Sequence, residues 1–166
     1  MNRTGGTFLT DRAARTSYAA ATLSLSAALI HLFAAPEHFE EWWGYGTFFV
    51  GSAVVQGAYA VVLLRGPWGS SFYTVGIAGN LVIVALWLVT RTAGIPFLGP
   101  HAWEVEGVGA LDLSATAAEV ALVVALVALR RGRGLSKEGW FMVFLLVVYA
   151  ALAFALFGRL TRFGDH

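Results

Sequence analysis

Residues 31–46 hold the densest group of chemically capable side chains in the sequence: His-Leu-Phe-Ala-Ala-Pro-Glu-His-Phe-Glu-Glu-Trp-Trp-Gly-Tyr-Gly. His31, Glu37, His38, Glu40 and Glu41 fall within eleven positions of a chain in which 13% of residues are charged. Imidazole with carboxylate suits a transition ion such as zinc, iron, manganese or Cu(II). A second group follows at His101, Glu104, Asp112 and Glu119. The spacing of His38 to Glu41, repeated in His101 to Glu104, lets both side chains of a pair meet one ion. The same spacing in opposite order builds di-iron sites in helical bundles.

One geometric condition applies. In an unbroken helix His31 and His38 lie about 10 Å apart along the axis, too far to share an ion. Pro36 must therefore end the helix if both are to converge. It would then start a short interfacial helix, with Glu37, Glu40 and Glu41 in the first turns where the dipole favours acids.

Other chemistries find less support. There is no cysteine, which excludes disulfides and thiolate sites, and the methionines are Met1 and Met142 alone. No HExxH, Rossmann or P-loop pattern occurs. Haem held by two histidines wants them on facing helices, whereas His31 is the one histidine inside an apolar run.

These groups need positioning elements, and composition says which. Hydrophobic residues make up 58% of 166, with a mean hydropathy of +0.70, the profile of a polytopic membrane protein. Five apolar runs of similar length, 18–35, 47–64, 72–89, 111–129 and 140–157, each suit one bilayer crossing. The first is expected to remain uncleaved, because a cut after Ala35 would put Phe33 where signal peptidase wants a small residue. The expected domains are a cytoplasmic tail at 1–16, a five-span unit at 17–158 and an extracytoplasmic tail at 159–166.

Basic residues set the orientation. Arg3, Arg12, Arg15, Arg65, Arg130, Arg131, Arg133 and Lys137 fall on one side and Arg91, Arg159 and Arg162 on the other, so the N-terminus is predicted inside. The basic run 130–133 serves as a topology anchor, and no nucleic-acid partner is expected. All four histidines then lie toward the outer side.

Polar residues inside spans usually face a bundle interior or cavity. Ser17, Ser24 and His31 share one helical face; so do Tyr45, Ser52, Gln56 and Tyr59; Tyr73, Asn80, Trp87 and Arg91; and Asp112, Thr116 and Glu119. The fifth span offers Tyr149. The predicted fold is all-α: a four-helix polar-cored bundle with one peripheral helix. If the fourth helix starts at Pro100, His101 and Glu104 join its face, although Gly107 and Gly109 weaken that continuity. The stripes predict an outward-open funnel, with His31 roughly 6 Å below the surface and Gln56, Asn80 and Glu119 about 13–16 Å below. Arg91 is expected to pair with Glu104 or Asp112, and His31 can hold Glu119.

The segments H-x4-P-E-H-x2-E-W, F-F-V-G-S-A-V-V-Q, G-N-L-V-I-V and T-R-T-A-G-I-P resemble those of small bacterial multi-pass membrane proteins, over roughly residues 17–130. The resemblance brings no activity, cofactor or partner; it implies a bacterial inner-membrane setting.

The leading expectation is an outward-facing transition-metal site of His31, His38, His101, Glu104, Asp112 and Glu119, for metal handling or membrane-linked redox chemistry. The first alternative is a proton-coupled or small-solute transporter using Glu119, Asn80 and Gln56. The second is an accessory or assembly subunit, with lipid, a partner protein or a second copy around it.

Overall fold

The computed structural model describes residues 4–66, 68–96, 99–145 and 147–148. They form helices α1 (Thr4–Glu41), α2 (Trp43–Leu63), α3 (Ser70–Thr92) and α4 (Ala110–Arg130). A fifth helix, α5, covers residues 137–145 and 147–148. Among the described residues four helices are long and apolar enough to cross a membrane. In lipid a helix satisfies its backbone groups internally, which is why these runs fold as helices. Most of the expected fifth span, with Tyr149, Arg159, Arg162 and His166, lies outside the described residues.

Helix α1 corrects one expectation. It has 38 residues and contains Pro36 within it, so it runs about 57 Å and extends beyond a hydrocarbon core. Proline removes one backbone N–H and crowds the carbonyl four residues back, but here the helix absorbs the loss and continues to Glu41. The reversal into α2 is made by Trp42 alone, in extended backbone at φ −168° and ψ 135°. The helices approach closely there, since a β-carbon on Gly46 would collide with the Phe39 ring.

Packing follows small residues. Ala20, Ser24, Ala27, Ala28, His31 and Ala35 form the buried stripe of α1, and α4 presents Ala115, Glu119, Leu122, Ala125, Leu126 and Leu129. Small side chains let backbones approach, which matters in lipid because association rests on dispersion and hydrogen bonds. Leu25, Leu29, Val54, Val61 and Val82 point outward, an apolar exterior matched to acyl chains.

Helix α1 packs along α2 and α4, and α3 packs along α4, whereas α2 and α3 stay apart over most of their length. They meet near the 65–69 connection. There Tyr59 stacks on Phe72 with centroids 4.6 Å apart, and its hydroxyl donates to the Phe72 carbonyl at 3.3 Å. Gly76 makes room, since a β-carbon would strike the Tyr59 hydroxyl. Beyond this point a groove of about 400 Å³, lined by Gly51, Ser52, Val55 and Gly79, separates the two helices.

At the same end of the bundle, the 131–136 segment crosses α1. The Leu135 amide donates to Thr16 Oγ1 at 2.9 Å, and Trp140 of α5 packs on the core around Ala20 and Leu122.

The 93–109 connection is irregular, so the extension of the fourth helix back to Pro100 does not form. Trp103 sits at φ 69°, a left-handed conformation that no α-helix accommodates. The chain doubles back instead: the Trp103 amide donates to the Ile95 carbonyl at 3.1 Å and the Glu106 amide to the Thr90 carbonyl at 3.0 Å.

Candidate functional site

Four helices each contribute one polar side chain to a common interior. His31 Nε2 lies 2.9 Å from Glu119 Oε1, and Gln56 Nε2 donates to the same oxygen at 3.0 Å. Gln56 Nε2 also donates to Asn80 Oδ1 at 3.2 Å. Asn80 Nδ2 in turn donates to the Gly76 carbonyl at 2.8 Å. Glu119 is 1% exposed and His31 5%. The Ser24 hydroxyl donates to the Gln56 backbone carbonyl at 2.8 Å, fixing α1 against α2 at this level.

The direction of the chain of bonds follows from its far end. The Gly76 carbonyl can only accept, so Asn80 must turn its NH₂ toward α3 and its oxygen toward Gln56. Gln56 must answer with its own NH₂, and the second hydrogen goes to Glu119. Oε1 is thereby an acceptor. When the carboxylate is ionised, His31 Nε2–H is the other donor to it, and Nδ1 is left as the free nitrogen of the ring. Nδ1 is buried without a hydrogen-bond partner among the described residues, as is Gln56 Oε1.

Between this pair and the 93–109 connection lies a cavity of about 140 Å³. Its walls are mainly apolar and aromatic, including Phe48, Phe49, Ile83, Leu86 and Trp87. Its other end is lined by Arg91, Glu106 and Asp112. Arg91 binds Glu106 Oε2 at 2.6 Å and Asp112 Oδ2 at 2.7 Å. The same Asp112 oxygen accepts the Gly109 amide at 3.2 Å, so one carboxylate both caps α4 and holds α3. The Arg91 guanidinium also lies 5.8 Å from the centre of the Trp87 ring.

The metal reading fails on this geometry. Among the described residues, no three of His, Cys, Asp and Glu come close enough together to hold an ion. Because α1 is unbroken at Pro36, His31 and His38 stay two turns apart, and Phe49 fills the space between them. Its ring meets His31 edge-on at 5.4 Å and stacks on His38 at 3.8 Å. His38 Nδ1 donates to the Ala34 carbonyl at 2.9 Å within its own helix. His101 pairs with Glu104 at 2.8 Å on the exposed connection, away from Glu119. Asp112 belongs to Arg91. Of the expected ligands, the structure brings together His31 and Glu119, in an enclosed pair rather than an outward-facing site. The depth expectation changes too, since His31 and Glu119 share one level.

The polar-core expectation is closer to what is found. Gln56 bridges Asn80 and Glu119 through its amide nitrogen. Arg91 pairs with Asp112 as expected but takes Glu106, not Glu104, as its second acid. Two contributors could not be placed from sequence pattern: Phe49, an apolar residue in an apolar run, and Glu106, whose position depends on the fold-back of its loop. Comparison with known proteins returns no matching family model, no matching curated protein and no matching solved structure.

Proposed function

We propose that this chain is a small-solute transporter coupled to protons at the His31–Glu119 pair. The observation that carries the reading is a buried carboxylate shared between an imidazole and an amide, at one end of a cavity inside a membrane bundle. A carboxylate at that depth needs a compensating positive charge. A proton supplies one, and its uptake and release at the cavity wall is the elementary event of proton coupling. Ionisable residues inside membrane spans recur along such pathways.

Asn80 and Gln56 serve the pair by holding Oε1 in place and presenting a donor in either protonation state. With the N-terminus on the cytoplasmic side of a bacterial inner membrane, as the basic residues predict, the Arg91 end of the cavity faces outward. His38 and Phe49 then form part of its wall.

Infrared difference spectroscopy between acid and alkaline buffer tests the proton site without a substrate. A carboxyl C=O band that appears on acidification and disappears in Glu119→Gln is the expected result. Identical difference spectra for the two proteins would overturn the reading.

A further inference from the structure

The charges around the cavity do not balance. Among the described residues Arg91 is the single Lys or Arg side chain on its walls, and it is already shared between Glu106 and Asp112. Glu119 stands at the opposite end with His31 and Gln56, and no guanidinium or ammonium reaches it among the described residues. The remaining titratable groups facing the space are His31 and His38 from α1 and Tyr45 from α2, and Thr90 and Thr116 add neutral hydroxyls. With imidazoles neutral and Glu119 ionised, as it is once its proton has left, the described residues of the lining carry three negative charges against one positive.

The walls have a matching preference. Phe48, Phe49 and Trp87 give aromatic surface at the centre, and ring faces attract cations where water is excluded. The contact between Arg91 and Trp87 shows this at one end. Near Glu119, His31 Nδ1 is buried and unpartnered. With Glu119 ionised and Nε2–H donating to it, that nitrogen carries no proton, so the ring brings no positive charge to the pair.

Volume limits the size. About 140 Å³ is close to the apolar cavity of roughly 150 Å³ that admits one benzene. A single ring or compact branched body fits, and two rings do not.

We infer that the cavity binds a small lipophilic organic cation, an ammonium on a one-ring or branched apolar body, with its charge on Glu119 and its body against the aromatic wall. The inference deepens the transport reading and rests on it for the coupling step. When the protonated carboxyl meets the cation, the O–H bond of Glu119 breaks. One proton leaves to bulk water, and the carboxylate forms an ion pair with the ammonium. One positive charge enters and one departs, so the cavity's charge is unchanged.

Benzylamine, benzyl alcohol and benzoate share a ring and differ in charge. Calorimetry with the purified full chain in detergent, with Trp fluorescence as a second readout, compares them. A weakly buffered pH measurement counts protons in parallel. The expected result is benzylamine binding at least about thirtyfold tighter than benzyl alcohol, the scale of removing one member of a buried charge pair. Benzoate should not bind, and about one proton should be released per amine. Glu119→Gln should lose the same factor while keeping its helical circular dichroism.

Ile83→Trp, which fills the cavity and leaves every acid in place, should abolish binding. Ser114→Ala, on the outer face of α4, should bind as the wild type does. Equal binding of alcohol and amine, or preference for benzoate, overturns the cation site. Loss of all binding with the infrared carboxyl band intact overturns it as well and leaves the proton reading standing. Amine binding without proton release upholds the cation site and overturns the coupling.

Discussion

His31 and Glu119 are separated by 88 positions in the chain and by 2.9 Å in space, where one oxygen of Glu119 faces Nε2 of His31 inside the α1–α4 interface. The pair joins α1 to α4 at a level where both residues are buried, so it ties the two helices together through one polar contact.

Removing one member strands the other. His31→Ala should lower stability in detergent by about 3 kcal/mol, because a buried charge loses its partner. Glu119→Gln, which keeps the hydrogen-bonding shape, should lose less. In a double-mutant cycle of His31→Ala and Glu119→Ala, the combined loss should fall short of the sum, since residues in contact are coupled. Additive losses would mean that the pair contributes nothing as a pair.

The Arg91 junction should respond in order of burial. Asp112 is 22% exposed at its side chain and Glu106 38%, so Asp112→Asn should destabilise more than Glu106→Gln, where water screens the charge. Arg91→Ala should release the connection. Amide hydrogen exchange should speed up across 93–109, and little change should reach α1 around His31. Unchanged exchange over 93–109 would show that backbone bonds alone hold the loop.

Two glycines three positions apart on α3 give opposite outcomes. A β-carbon on Gly76 meets the Tyr59 hydroxyl and Leu126, whereas one on Gly79 meets nothing within 4 Å. Gly76→Ala should destabilise by about 1–3 kcal/mol through overpacking. Gly79→Ala should be neutral or should stabilise by up to about 1 kcal/mol from helix propensity. Thermal unfolding of the two proteins side by side reads the contrast.

Topology can be checked cleanly because the chain has no cysteine. In intact cells, Glu40→Cys at the α1–α2 turn should react with a membrane-impermeant thiol reagent, and Glu138→Cys near the start of α5 should not. The reverse pattern would turn the protein over and put the cavity's Arg91 end in the cytoplasm.

Four of the five expected spans and the inward polar faces were legible, the spans from hydropathy and length and the faces from periodicity. A 3.6-residue turn puts Ser24 below His31 and Gln56 below Ser52, and hydropathy marks four membrane helices. Which polar residues would touch was legible in part: Arg91 with Asp112 and His31 with Glu119 were open to inference from type and depth. The metal expectation failed at two places, the continuity of α1 through Pro36 and the irregular 93–109 connection, which leaves His101 and Glu104 away from Glu119. Proline penalises a helix without forbidding it, and packing along α2 decided the outcome. The position of Phe49 between His31 and His38 depends on how α2 docks against α1. The partner of Arg91 depends on the backbone bond from Glu106 to Thr90. Neither is encoded in a short-range pattern.

The gap between α2 and α3 gives the bundle an uneven stiffness. The α1–α4 pair acts as a spine, with α2 and α3 as two arms hinged along it. The arms are joined at the 65–69 end by Tyr59 on Phe72 and at mid-height by the 3.2 Å bond from Gln56 to Asn80. Parting the arms above Tyr59 therefore strips away little packed surface. It breaks one amide–amide bond, worth about 1 kcal/mol. That bond also orients the Gln56 amide toward Glu119, so parting the two arms directly alters the donors on the buried carboxylate.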